Sequence, residues 1–109
     1  KGRMMEDIVL LETKIAKPHK EVFQLQFAVG EFDMVVHDPE ALTCEIYEVK
    51  HSQERVHQQY QHLIDTQKCA ETEHRFGRIT GRYVIYRGEF AEMDGVKYLP
   101  VEDYLKALK

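Results

Sequence analysis

Apolar residues at the amino-terminal end recur at helical spacing. Met4, Ile8, Leu11 and Ile15 fall on one stripe, with Met5, Val9 and Glu12 beside it, which predicts a helix over residues 1 to 16. Pro18 ends it, because a proline has no amide to continue the ladder. Beyond it the period changes to two. Val22 to Val29 reads as a strand with Phe23, Leu25, Phe27 and Val29 on one face, and Gly30 supplies a turn. Glu31 to His37 reads as a second strand, with Phe32, Met34 and Val36 opposite Glu31, Asp33, Val35 and His37. Asp38-Pro39-Glu40 is turn chemistry, and Thr43 to Lys50 returns as a third strand rich in β-formers.

The second half switches back to helical spacing. Ser52 is a good N-cap for a helix from Gln53, in which Val56, Tyr60, Leu63 and Ile64 share a buried stripe. Asp65 or Thr66 then caps a further helix through Cys69 and Phe76, closed by Gly77. A strand from Arg82 to Arg87 follows, Asp94-Gly95 turns the chain, and Val96 to Leu99 pairs back. Pro100 opens a last short helix with Val101, Tyr104, Leu105 and Leu108 on one face. The order α-β-β-β-α-(α)-β-β-α predicts a mixed α/β (α+β) fold, with residues 1 to 109 forming one domain around one core.

Composition narrows the class. An apolar share of 43% beside 31% charged residues argues against disorder. No apolar run approaches the roughly 20 residues of a membrane span, and the amino terminus lacks the pattern of a secretory signal. The expectation is a cytoplasmic protein without a membrane partner. Cys44 and Cys69 lack CxxC spacing and read as reduced core thiols. A net charge of −4 speaks against a free-standing domain that coats nucleic acid, although divalent metal would neutralise part of it. The chain opens on Lys1 and enters a helix almost at once, which suggests a piece of a longer protein.

The acidic residues are placed unusually. Glu48 and Lys50 point the same way from the third strand because side chains alternate with period two. If His37 faces Cys44, antiparallel pairing brings Asp33 opposite Glu48, with Cβ atoms about 5 Å apart. Two carboxylates that close repel unless one is protonated or a cation lies between them. A slip of one residue would send Asp33 to the other face, and Glu31 shares its parity. Glu6 lies three and four residues before Val9 and Leu10, at the border of the packed helix face. Alone, Glu48 and Lys50 read equally well as a solvent-facing ion pair worth about 0 to 1 kcal/mol. Asp33 and Glu6 tip the balance toward a site. His37, His51 and His57 read as surface or capping imidazoles, and Tyr83 and Tyr86 as core sheet.

Three segments carry a resemblance. Gly2-x-x-x-Glu6 on the opening helix, Gly30-Glu31-Phe32-Asp33-Met34-Val35-Val36, and Glu45-Ile46-Tyr47-Glu48-Val49-Lys50-His51-Ser52 resemble the successive motifs of the PD-(D/E)XK, restriction-endonuclease-like nuclease superfamily. Nearly the whole chain, including Phe76-Gly77-Arg78 and Tyr83-Val84-Ile85-Tyr86-Arg87-Gly88, is similar to the carboxy-terminal domain that follows the ATPase module in a family of bacterial and archaeal AAA-type ATPases. The resemblance implies a restriction-endonuclease-like αβββαβ core, its mixed sheet flanked by helices, with a short carboxy-terminal helix. It implies that Asp33 and Glu48 bind Mg²⁺ or Mn²⁺ with the carbonyl of Val49 as a further oxygen. Lys50 would orient or activate the attacking water and stabilise the developing charge, and Glu6 would hold a second metal or a metal-bound water. The implied reaction is metal-dependent phosphodiester hydrolysis, with DNA as substrate and an ATPase module in the same polypeptide as partner.

Two departures stand out. Phe32 occupies the position of the motif proline, and Gln58, Gln59 and Tyr60 are contiguous where some of these nucleases place a Gln and a Tyr one helical turn apart. The competing expectation is a catalytically silent module, a nucleic-acid-binding or protein-docking surface of the same ATPase. The acidic balance and the lack of an obvious basic groove favour it.

Overall fold

The two strands richest in buried side chains lie inside the sheet. In the computed structural model, which describes residues 2–28, 31–55 and 60–109, these are β2 (Glu31–Asp38) and β3 (Thr43–Val49). With β1 (Glu21–Gln26), β4 (Arg78–Tyr86), β5 (Ala91–Met93) and β6 (Val96–Pro100) they form a six-stranded sheet in the order β1-β2-β3-β4-β6-β5. The sheet is mixed: β1, β2 and β3 run antiparallel, β3, β4 and β6 parallel, and β5 returns antiparallel on β6. The long crossover that a parallel pair needs is supplied between β3 and β4 by α2 (Thr66–Phe76).

Helices cover both faces. On one, Met5 and Val9 of α1 (Gly2–Ala16) pack with Val22, Met34, Val36, Tyr47, Val49 and Ile85, joined at the margin by Val101 and Tyr104 of α3 (Val101–Ala107). On the other, Leu63 of a 3-10 turn (Gln61–Ile64) and Cys69 of α2 cover Phe32, Val35, Cys44, Ile46, Val84 and Tyr86. The result is a mixed α+β fold with three helices among the described residues.

Several local expectations hold. Asp65 caps α2, its Oδ1 accepting from the Lys68 amide at 2.9 Å, and Gly77 closes the helix at φ 90°. Gly77 is also needed for space, since a Cβ there would lie 1.9 Å from the carbonyl oxygen of Leu42. The Arg78 amide donates to that same oxygen at 3.1 Å. The turn after β2 is tied by Asp38, whose Oδ1 accepts from the amides of Glu40 and Ala41 at 3.1 and 3.0 Å. The β2–β3 turn and the end of α2 therefore brace each other and pin the register, His37 opposite Cys44. Cys44 and Cys69 are free, buried thiols.

Other expectations are corrected. Met4, Ile8, Leu11 and Ile15 are exposed, whereas Met5, Val9 and Thr13 face the sheet. Thr13 is accepted there because its hydroxyl donates to the Val9 carbonyl at 2.7 Å and meets the Tyr104 hydroxyl at 2.7 Å. No helix starts at Gln53: residues 51 to 53 bend and Glu54 and Arg55 have no regular structure. Val56, His57, Gln58 and Gln59 lie outside the described residues, as does the turn assigned to Gly30. Of that expected stripe, Tyr60 and Leu63 are buried and Ile64 is 37% exposed. Val96 to Leu99 does not fold back on the Arg82 strand as a hairpin. The hairpin partner is β5, through a two-residue turn with Asp94 at φ 52° and Gly95 at φ 79°, while β6 lies parallel to β4.

Candidate functional site

The site begins with an irregularity in β2. Phe23 pairs with Val35 and Leu25 with Phe32, so Asp33 and Met34 stand against the single residue Gln24. Such a bulge re-aims side chains. Phe32 and Val35 both turn to the α2 face while Met34 and Val36 turn to the α1 face. Asp33 sits in the break. Its Oδ2 accepts a 2.8 Å hydrogen bond from the amide of Val49, taking the place of a ladder carbonyl. A residue's amide and carbonyl leave a strand on the same side, so the Val49 carbonyl also faces the β2 side.

The pairing from His37–Cys44 to Met34–Tyr47 leads, one step further, to Asp33 and Glu48, the juxtaposition the sequence predicts. Alternation puts Glu48 with Cys44 and Ile46 on the α2 face, at the carboxyl end of β3. That is where open sheets with parallel strands place ligands. Glu48 is only 2% exposed. Its Oε1 lies 3.4 Å from Nζ of Lys50, and its Oε2 is buried with no hydrogen-bond partner. Burial pushes the Glu48 carboxyl up to about 8, the negative charge of Asp33 adds to this, and Lys50 opposes it. Asp33 is also raised by burial, against the pull of the Val49 amide and Lys50. At neutral pH Glu48 therefore keeps its proton and lies against a second acid and a half-exposed ammonium.

Glu6 stands apart. It is half-buried on α1, next to Met5, and α1 covers the opposite face of the sheet from Glu48. Among the described residues no three His, Cys, Asp or Glu side chains come together as metal ligands. A cation here would rest on the oxygens of Asp33, Glu48 and Val49. An orphaned buried oxygen beside a second carboxylate suits Mg²⁺ or Mn²⁺, which take oxygen ligands and keep several waters.

Sequence reasoning missed two neighbours. Lys68 is 7% exposed on α2, and its Nζ meets Nδ1 of His62 at 2.6 Å. His62 is pushed below its usual range by burial first, then by Lys68 and Lys50, while Asp65 and Asp33 oppose this. The imidazole is thus neutral and lies within electrostatic reach of the Asp33–Lys50 group. The signal was present: a lysine preceding buried Cys69 on a helix whose inner face is otherwise Cys69 and Thr72.

The remaining imidazoles divide. His37 is buried rather than on the surface, paired through Nδ1 with Glu21 Oε1 at 2.7 Å and set edge-on to Phe76. His51 accepts from Arg87 Nε at 3.3 Å at an exposed position. His57 lies outside the described residues. Tyr86 is fully buried, as expected of core sheet. Comparisons with known protein families, with curated proteins and with solved structures return no match for this chain.

Proposed function

We propose that the chain is a metal-dependent phosphodiesterase module acting on DNA, built on a restriction-endonuclease-like core. The order α1-β1-β2-β3-α2-β4, antiparallel and then parallel through a crossover helix, is consistent with an αβββαβ core. The observation that carries the function is the buried Glu48 carboxyl, set against Asp33 and Lys50 at the end of a central strand and pushed up by burial and by the Asp33 charge. A bound cation would offset the cost of burying that carboxyl as an anion.

In this function Asp33, fixed by the Val49 amide, and Glu48 would hold Mg²⁺ or Mn²⁺ with the Val49 carbonyl. When bound there, the cation would supply Lewis-acid polarisation of the scissile phosphate and a more acidic water. Lys50 keeps one side open to solvent, as its 38% side-chain exposure shows. Its ammonium would orient the attacking water and stabilise charge developing on the phosphoryl oxygens. The resemblance extends the proposal to an ATPase module in the same polypeptide as the element that brings DNA to the site.

The test is incubation of plasmid and single-stranded DNA with Mg²⁺ or Mn²⁺. The wild-type chain should cleave, and Asp33→Ala and Lys50→Ala should each lose at least about 100-fold in rate, as removal of an electrostatic stabiliser does. Cleavage persisting in both variants would defeat the assignment.

A second function has one observation in its favour. No third acid converges on Asp33 and Glu48 among the described residues, so a silent nucleic-acid-binding or protein-docking module of the same ATPase is the alternative. It predicts no cleavage in any metal, with DNA or protein binding unchanged in Asp33→Ala.

A further inference from the structure

A cleft of about 700 Å³ lies between the end of β1, the 3-10 turn and α2. Its inner wall carries Lys68. An ammonium so deeply buried ordinarily sits against a carboxylate, because desolvating it costs several kcal/mol. Lys68 has no such partner. The ion pairs seen among the described residues include His37–Glu21 and Lys50–Glu48, neither of which involves Lys68. What Lys68 has is a neutral imidazole, His62 at 2.6 Å, and the ring of Phe27 at 5.5 Å. Asp65, which also lines the cleft, spends one carboxylate oxygen on the Lys68 amide as the cap of α2. Glu71 and Arg75 line the exposed rim, where the Arg75 guanidinium lies over the Phe76 ring at 4.9 Å. The uncompensated charge in the interior is that of Lys68, and the polar side chains of Gln61 and Gln67 lie around it.

We infer that this cleft is an oxyanion subsite for a backbone phosphate of the nucleic acid, held by Lys68 and flanked by His62, Gln61 and Gln67. His62 lines the cleft and the charges of Lys50 and Asp33 act on it, as that of Lys68 does. A phosphate seated on Lys68 would set the register of the strand across Asp33 and Glu48. The inference deepens the proposed phosphodiesterase and rests on it for the identity of the anion.

Fluorescence anisotropy with a labelled single-stranded DNA oligonucleotide in EDTA tests it without turnover. Lys68→Met should weaken binding by about tenfold or more, the contribution of one charge-assisted hydrogen bond, and should leave the melting temperature unchanged or higher, because a buried unpaired charge is removed. A lysine serving only the fold would do the reverse, losing melting temperature and leaving affinity intact, and that result overturns the inference.

If Lys68→Met does not fold, inorganic phosphate against the wild-type chain decides. A rise in melting temperature beyond that given by chloride at equal ionic strength supports the subsite, and its absence overturns it. Failure of cleavage with Lys68-dependent binding intact would sink the phosphodiesterase alone. Cleavage with Lys68-independent binding would sink the subsite alone.

Discussion

Glu48→Gln should make the protein more stable at pH 8.5 and remove most of the pH dependence of its stability. In the folded chain burial pushes Glu48 up to about 8 from an ordinary 4.5. Between those values the folded state holds a proton that the unfolded state has released. Stability then falls as pH rises, by up to about 1.4 kcal/mol per unit, until Glu48 ionises in the fold as well. Below the unfolded value the penalty vanishes. Glutamine has the same shape, never ionises, and still offers an oxygen to Lys50.

Coupling to Asp33 spreads part of the titration, so the expected gain at pH 8.5 is roughly 2 to 4 kcal/mol, shrinking to nearly nothing at pH 4. Denaturant unfolding of both proteins at the two pH values measures it. Parallel stability curves would show that Glu48 is not held protonated by the fold. The gain in stability should accompany loss of cleavage, since the same carboxyl is the proposed ligand. A residue that costs stability while serving chemistry gives opposite signs in the two measurements.

The second large effect belongs to Phe32. It is fully buried, lies edge-on to Phe27 with ring centroids 5.1 Å apart, and stands immediately before the bulge that aims Asp33. Phe32→Ala leaves a cavity under the α2 face and should cost about 3–5 kcal/mol, a large part of the 5–15 kcal/mol typical of a domain. Phe32→Leu keeps most of the volume and should cost under about 1.5 kcal/mol. Denaturant midpoints with unchanged slope report both. If alanine costs no more than leucine, Phe32 does not anchor the bulge.

What was legible in the sequence follows from which signals are local. The β2–β3 register entered as a condition, His37 facing Cys44, and it is the one observed because Asp38 ties the turn and the Leu42 carbonyl braces it against Arg78. Asp65, Gly77 and the Asp94-Gly95 turn were readable because their backbone needs are met by few residue types. The inner face of α1 was not. Two adjacent stripes compete there, and the more apolar one, Met4, Ile8, Leu11 and Ile15, is outside. Thr13 faces in because Tyr104, far away in the chain, meets its hydroxyl.

The site divides along the same line. Glu48 and Lys50 share a face through strand geometry. The route by which Asp33 is held, through the Val49 amide, depends on a bulge that Gln24 does not announce. Glu6 belonged with them through resemblance, and α1 packs against the other face of the sheet. Lys68 and His62 escaped notice because their meeting joins the 3-10 turn to α2, and a lysine on a helix ordinarily reads as solvated surface.

Titration calorimetry with Mn²⁺ at pH 7 tests the central claim, that Asp33 and Glu48 form a divalent-cation site. Repeating it in two buffers of different ionisation enthalpy counts the protons released. The prediction is binding with release of about one proton as Glu48 gives up the proton it holds in the free protein. Glu48→Gln and Asp33→Ala should bind at least about tenfold more weakly, since each loses an ionised ligand. Absence of binding at millimolar Mn²⁺, or equal binding in the wild type and both variants, would contradict it.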